Sequence, residues 1–457
     1  MQLPKGPTAS PFIQVIQWIA DPLKYLEKSA EMYGDCFTAR WGYQPPFVII
    51  SHPQAIQELF TADFKKFEVG SANGILQPLF GSQSLILLDG ESHQRQRQLL
   101  MPPFHGDRMR SYGNLICKLT EEIFSQISPG NSFLIREITQ KITLRVILKA
   151  VFGIASGERF QQLERLLGES LESLSSPFSS SLLFFPFLQK DLGEWSPWGR
   201  FMSRQRKIDQ LLYAEIEEKR QNPDASRTDI LSMLISAVDA EGQSMSNQEL
   251  RDELMTLLVA GHETTASALS WAFYWLNTLP EVKEKLMAEL DSLGDNSDPN
   301  AIAKLPYLNA VCQETLRIYP VAMISFPRKL TTSLELMGRT FSAGTRFLGC
   351  IYLTHHREDI YPEPKKFKPE RFLERQYNAY EYLPFGGSNR RCIGAALALY
   401  EMKLVIATVL SRYNLAMVDN RPIKPQRRGL TLAAPPGTKM IISSKREANF
   451  NKTLVKA

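Results

Sequence analysis

From Ser246 to Thr278 the chain runs without a proline, and Ser246 stands three residues before Glu249, the spacing of a serine–glutamate box that closes the first turn of a helix. That predicts one helix of some thirty residues, far above the usual length. Helix also surrounds it. Apolar spacing reads mostly helical from Leu99 to about Ile235, with Arg145 to Phe152 a buried-helix pattern, and further helices run to Ile318 across a linker at Asp291 to Asn300. Strands are short: Asp35 to Arg40 and Phe47 to Ser51 around the Pro45-Pro46 turn, more from Arg328 onward, and hairpin-like pieces between Gly429 and Ser444. The fold class expected is mainly α with a small β-rich region. Ser175 to Phe187 breaks the helical half, and its Leu182, Leu183, Phe184, Phe185 and Phe187 are costly to leave in water, so a pocket lid competes with an ordinary loop there.

Composition narrows the function. With 457 residues, 44% hydrophobic and 22% charged, the chain is ordinary for a protein in water, and length alone would allow two or three domains. A net charge of +5 is too mild to argue for nucleic acid. No run of about 18 apolar residues occurs, and Met1-Gln2-Leu3-Pro4-Lys5-Gly6-Pro7 is neither signal peptide nor anchor, which predicts a soluble, cytoplasmic protein without a transmembrane segment. Pro11 to Ala20 is apolar but short and broken by Gln14 and Gln17, leaving peripheral contact with a membrane as an option. The five cysteines are scattered with no CxxC, which points to a reducing compartment and away from disulfides or zinc.

One of those cysteines has unusual neighbours. Cys392 lies in Phe385-Gly386-Gly387-Ser388-Asn389-Arg390-Arg391-Cys392-Ile393-Gly394, followed by the helical run Ala395 to Lys403. Glycines on both sides let the backbone come close to something large and flat. A sulfur at a helix N-terminus beside cations is expected as thiolate, which suits the proximal face of a haem. The run resembles the haem-binding signature of the cytochrome P-450 family, haem-thiolate monooxygenases, with Ser388 standing where the family usually has glycine.

Four further motifs occur in the order that family has them. Ala260-Gly261-His262-Glu263-Thr264-Thr265 lies on the long helix, about 130 residues before Cys392. It lacks the second histidine a zinc protease needs, since Ala266 is there. Gly261 inside a helix points to close approach or unwinding, and paired threonines invite a bulge, giving a groove with a hydroxyl and a carboxylate at its edge. The hexapeptide resembles the family's oxygen-activation motif, which implies Glu263 and Thr264 as an acid–alcohol pair and Ala260 over the haem. Glu314 and Arg317, at i and i+3, together with Arg371 in Pro369-Glu370-Arg371-Phe372 resemble the family's structural triad behind the haem. His93 and Arg97, on one helix face, resemble its propionate clamp, and Arg328 and Arg390 match two more propionate sites. His355, six residues before Tyr361-Pro362, reads as a satisfied structural histidine.

The resemblance covers nearly the whole chain and implies one triangular helical domain over residues 1–457, binding haem b through Cys392 with Phe385, Gly386 and Gly394 shaping the loop. It implies hydroxylation with O2 and with electrons from a separate partner, since no flavin or nicotinamide fingerprint occurs. Basic residues at Arg95, Arg390, Arg391 and Lys403 favour an acidic ferredoxin or flavodoxin served by its own reductase, and the protein is expected as a monomer. By family position the substrate pocket takes Ile75 to Phe80, Leu85, Phe178 to Phe187, Leu257, Ala260, Thr264, Val321 to Ile324 and Leu430 to Leu432. Those residues are nearly all apolar, so the substrate is lipophilic. The chain looks like soluble bacterial members leaning toward fatty-acid hydroxylases, cyanobacterial ones among them. Two other classes stand beside this reading. A peroxide-using or hydroperoxide-rearranging relative would have lost the acid–alcohol pair, and a non-enzymatic haem sensor or electron carrier would bring a partner domain.

Overall fold

Ser246 Oγ accepts the Glu249 backbone N–H at 3.2 Å while Glu249 Oε2 accepts the Ser246 N–H at 2.7 Å, so the expected box opens a helix running over 32 residues, Asn247–Thr278. The structure, a computed structural model, describes residues 3–104, 106–153, 157–175, 189–224, 226–294, 298–429 and 431–446. In chain order the helices that bear on the site are α1 (Gly90–Leu100), α2 (Asp107–Ser125), α3 (Ile135–Phe152), α4 (Glu158–Ser175), α5 (Pro197–Gln221), α6 (Asn247–Thr278), α7 (Pro306–Ile318) and α8 (Ala395–Arg412). The strands are β1 (Cys36–Ala39), β2 (Phe47–Ile50), β3 (Phe67–Glu68), β4 (Ser132–Leu134), β5 (Arg328–Leu330), β6 (Leu334–Leu336), β7 (Arg339–Phe341), β8 (Arg346–Gly349), β9 (Tyr413–Met417), β10 (Gln426–Arg428), β11 (Thr431–Ala433) and β12 (Lys439–Lys445).

The long helix α6 is the axis. It packs against α3, α5, α7, α8 and β11, and one apolar core joins residues of α2 through α8. β1, β2, β8, β5 and β3 form a five-stranded sheet in that order, parallel only between β2 and β8. Phe47-Val48-Ile49-Ile50 is an unbroken apolar run because both faces of β2 are covered. Val48 and Ile50 enter one core cluster, Phe47 and Ile49 the other. β4 and β9 flank β12, while β6–β7 and β10–β11 are hairpins. Among the described residues no helix is long and apolar enough to cross a membrane.

Two local expectations on α6 meet different outcomes. The bulge expected at Thr264-Thr265 is absent, and α6 stays helical throughout. Gly261 serves close approach instead: a Cβ there would lie 3.1 Å from Ile147 Cδ1 of α3. The two helices are stitched by polar groups at that approach. Thr139 Oγ1 lies 3.1 Å from the Ala266 carbonyl and 3.0 Å from Ser270 Oγ, and Thr143 Oγ1 lies 2.8 Å from His262 Nδ1. Each bond satisfies a group that would otherwise be buried without a partner, which fixes the register of one helix on the other.

Candidate active site

The cysteine loop is closed by its own backbone. The Cys392 N–H donates to the Phe385 carbonyl at 3.0 Å, and the Gly386 N–H donates to the Leu383 carbonyl at 2.9 Å. Two residues of the loop sit in the left-handed region, Gly386 at φ +67° and Ser388 at φ +61°. Ser388 thus adopts the conformation that glycine takes freely, at a cost of about 1–2 kcal/mol for a residue with a Cβ. Gly387 has no such choice: a Cβ there would fall 2.7 Å from Phe60 Cδ2.

Behind the loop lies the triad. Glu314 and Arg317 are fully buried and share two contacts, at 2.6 and 2.8 Å, while Arg371 reaches Glu314 Oε1 at 3.2 Å. Arg317 also donates to the carbonyls of His355, Pro364 and Lys366. His355 then carries the connection forward. Its Nε2 accepts the Leu383 N–H at 3.0 Å, so the proton sits on Nδ1, which faces the Arg317 carbonyl at 3.3 Å. Burial and the Arg317 charge hold this imidazole well below the usual histidine range, keeping it neutral and fit for that bridge. Leu383 is two residues from Phe385, so the triad positions the entry of the cysteine loop through His355.

Around the loop four groups of basic character crowd together. Arg390 donates to the carbonyls of Leu85 (3.2 Å) and Leu88 (2.6 Å) and pairs with Asp89 at 2.8 Å. Arg97 donates to the Arg391 carbonyl at 2.8 Å. Arg328 is buried on the ring of Phe60, 4.5 Å from its centroid, with the Gly387 carbonyl 3.5 Å away. Burial pushes Arg328 down to about 10, with Arg390 adding to the shift; burial takes Arg390 to about 10, with Asp89 opposing and Arg97 assisting. His93 is driven to about 4 by burial and then by Arg390 and Arg97. Among the described residues Asp89 is the one carboxylate acting on this set, and it also accepts the N–H groups of Val69, Gly70 and Ser71. Arg390 Nε is buried with no acceptor. Three guanidiniums and an imidazole around one carboxylate form a cradle short of negative charge, which a group with two carboxylates would complete.

Cys392 is open to solvent although many protein atoms surround it, and Arg97 and Arg391 act on its sulfur. Burial raises its thiol above the usual range, while the Gly394 N–H, Arg97 and Arg391 act in the opposite direction. α6 lies across from this loop and is tied to it through Leu85, whose N–H goes to Glu253 Oε1 at 2.7 Å and whose carbonyl goes to Arg390. From Leu250 to Tyr274 every residue is buried except Val259, Ala260, Gly261 and Thr264. Ala260 and Thr264 are one turn apart, with Thr264 Oγ1 donating to the Ala260 carbonyl.

Several expected residues stand elsewhere. Glu263 does not join Thr264: its Oε1 is taken by Arg136 and its Oε2 by Gln140 Nε2 at 3.0 Å, both on α3. A buried carboxylate needs a cation, and Arg136 supplies it across the seam between the helices. Arg95 pairs with Asp239 and Glu249, Lys403 donates to the Ala303 carbonyl, and Arg390 is turned inward, so of the four basic residues only Arg391 is left exposed. Of the pocket candidates, Leu85, Leu257, Val321 and Leu432 are buried, and Ile324 is partly so. Phe178 and Leu430 lie outside the described residues. Asp89, Phe60, Glu253 and Arg136 were missed by sequence reasoning. Only Arg136 had a legible signal, the polar stripe Arg136, Thr139, Gln140, Thr143 along one side of its helix. A cavity of about 1030 Å3 elsewhere, bordered by Tyr112, Phe152, Arg159 and Lys219, has none of the expected site residues in its lining.

Comparison with known proteins agrees with this geometry. The family model described as Cytochrome P-450 matches residues 4–442. The chain is 34% identical over 452 residues to putative cytochrome P-450 135B1 of Mycobacterium tuberculosis, covering 98% of this chain and 93% of that protein. It is 31% identical to putative cytochrome P-450 138 of the same organism, covering 97% and 96%. Among solved structures, cyanobacterial CYP120A1 with retinoic acid bound superposes with a TM-score of 0.84 at 23% identity, over 97% of this chain and all of that one. The heme domain of cytochrome P-450DA gives the same TM-score at 20% identity, with 98% of both chains covered. The cradle fits the two propionates of haem b, the cofactor of that family, and this chain belongs to the cytochrome P-450 family of haem-thiolate monooxygenases.

Proposed function

We propose that this chain is a single catalytic unit over residues 1–457 that hydroxylates a long or polycyclic apolar substrate at an unactivated C–H bond, with fatty acids the leading class. When bound, the haem supplies O2 activation and the oxidising chemistry. Cys392 would hold its iron, and His93, Arg97, Arg328 and Arg390 would receive the propionates. Phe385, Gly386 and Gly394 keep the loop backbone close to the ring. Small Ala260 would leave room for the group, and Thr264 Oγ1 would hold and pass protons beside it. In the resting arrangement that relay stops at Thr264, because Arg136 withholds Glu263. Glu314, Arg317 and Arg371 position the loop and take no part in chemistry.

The observation that carries the substrate class is the accessible window of α6, whose small and apolar Val259, Ala260 and Gly261 adjoin Thr264, with Val321 and Leu432 as expected pocket walls. Retinoic acid in the CYP120A1 structure, an apolar chain with one carboxylate, supports the same class by likeness of fold. Electrons come from a ferredoxin or flavodoxin with its reductase, received at the face bearing Arg391. Exposed Phe12, Ile13 and Ile16, on a short helix whose Gln14 is buried and fully hydrogen-bonded, support peripheral contact with a lipid surface. The test is a series of dissociation constants for C8 to C18 acids, read from the haem spin-state shift. Affinity should rise with chain length until the pocket is full, at about 25 cal/mol per Å2 of apolar area buried. A flat series, or tight binding only to small polar compounds, refutes the lipophilic reading.

A further inference from the structure

Among the described residues, most buried acids have a cation of their own. Glu215 pairs with Arg159, Asp229 with Lys219, Asp252 with Arg251, Glu263 with Arg136 and Glu314 with Arg317. Glu253 and Glu401 have none, and of these two Glu253, fully buried on α6, is the one bonded to the segment that feeds the cradle. Burial holds its carboxyl well above the usual carboxylate range; the Leu85 N–H and Gln96 oppose this, and the charges of Asp252 and Glu249 assist it. Glu253 therefore stands as a neutral acid whose Oε1 accepts the Leu85 N–H at 2.7 Å.

The segment from Gly81 to Asp89 leads into α1 and is pinned to one face of α6. Asp252 Oδ2 accepts the Gln83 N–H at 2.8 Å, Thr256 Oγ1 lies 2.7 Å from Ser84 Oγ, and Glu253 takes the N–H of Leu85. Asp252, Glu253 and Thr256 lie within about one helical turn, so a single patch of α6 grips three consecutive residues. The approach is close enough that a Cβ on Gly81 would overlap the Asp252 carboxylate. The Ser84 carbonyl then accepts the N–H groups of Leu87 at 2.8 Å and Leu88 at 3.1 Å, closing a turn. Out of that turn the Leu85 and Leu88 carbonyls reach Arg390, and Asp89 pairs with it. Leu85 is thus held at both of its peptide groups, the N–H by Glu253 and the carbonyl by Arg390, and a single residue separates α6 from the cradle. The charges of the grip are cancelled locally: Asp252 has Arg251, Glu249 has Arg95, and Glu253 carries none. A cradle whose cations are kept for two carboxylates is held from α6 with no extra anion beside it. We propose that Glu253 is a positioning residue for haem, fixing the Leu85 carbonyl that orients Arg390; this rests on the reading of Arg390 as a propionate ligand and adds to it the group that sets its place.

The test uses the haem-loaded full chain, read by the propionate-bending band in resonance Raman spectra and by the rate of haem transfer to apomyoglobin. Glu253→Gln keeps a neutral acceptor at the same reach, whereas Glu253→Asp keeps the carboxyl but withdraws it by one methylene. Glu253→Gln should give the wild-type band and rate. Glu253→Asp leaves the Leu85 N–H unpaired, so it should move the band and speed haem loss by about fivefold to a hundredfold, the range for a buried donor left without a partner. A merely structural role would lower the melting temperature and leave the band in place. Should Glu253→Asp load no haem while Glu253→Gln matches wild type, the two differ in reach and the positioning role stands. An unmoved band in Glu253→Asp, equal shifts in both variants, or failure of Glu253→Gln to load haem overturns it. Arg390→Lys tests the underlying reading separately. An unmoved band there removes Arg390 from the propionates, and the role of Glu253 falls with it; a band that moves there but not in Glu253→Asp overturns the positioning alone.

Discussion

Gly387→Ala tests how tightly the cysteine loop is tied to the sheet beside it. The added Cβ would lie 2.7 Å from Phe60 Cδ2 and 3.0 Å from Cε2. Carbon atoms rest at about 3.5–4.0 Å, so one ring edge must retreat by roughly 0.8 Å. Phe60 has little space to retreat into. It is buried in the cluster with Val48, Ile56 and Phe347, and the Arg328 guanidinium stands over its ring. Overpacking of this kind costs about 1–3 kcal/mol, and the displacement passes to Arg328. Urea unfolding followed by the haem band should show that loss, with lower haem retention. Phe60→Leu removes the obstructing edge, so the double variant should be more stable than the sum of the two single effects by at least about 1 kcal/mol, within the range found for residues in contact. Additive effects, or an unchanged Gly387→Ala protein, would refute the bracing of loop against ring.

Arg317→Ala should cost more in folding than in chemistry, about 3–5 kcal/mol from the uncompensated Glu314, and a soluble, haem-loaded variant of normal stability would count against the triad. Thr264→Ala should keep haem content and substrate binding while diverting electrons to peroxide, since its hydroxyl bonds only the Ala260 carbonyl; unchanged product per electron would sink the relay. Cys392→Ala should abolish the red-shifted band of the reduced carbon-monoxide complex, and its survival would show another ligand. Burial pushes the Glu401 carboxyl up from 4.5 to about 8. The folded chain then holds a proton the unfolded chain releases, so its contribution is greatest below about 4.5 and declines as pH rises to about 8. Glu401→Gln should flatten that decline, measured as melting temperature at pH 5.5 against pH 7.5; a parallel shift at both values would contradict it.

What was legible in the sequence was local or matched a motif. Ser246 and Glu249 meet across one turn, and Glu314 and Arg317 share a helix face, so spacing alone brings them together. The cysteine loop was readable because the glycines and arginines stand within ten residues. Charges that choose distant partners were not. Spacing put Glu263 beside Thr264, but Arg136, 127 residues earlier, decides where its carboxylate goes. Arg95 looked like a free surface cation because Asp239 and Glu249 reach it only once α6 is in place.

The pairing of β4 with β12 has a consequence for how the protein is made. Ser132–Leu134 leaves the ribosome about 300 residues before its partner, a wait of roughly 15–60 s at ordinary synthesis rates. The sheet that joins β2 to β8 waits nearly as long. During that interval the apolar faces of α2 and α3 and an unpaired strand edge are open to solvent and to other nascent chains. Slower synthesis only lengthens the exposure, whereas lower temperature also weakens hydrophobic association between chains. Soluble yield should therefore respond to chaperone supply and growth temperature more than to promoter strength, and a chain cut before Lys439 should aggregate rather than fold to a smaller unit.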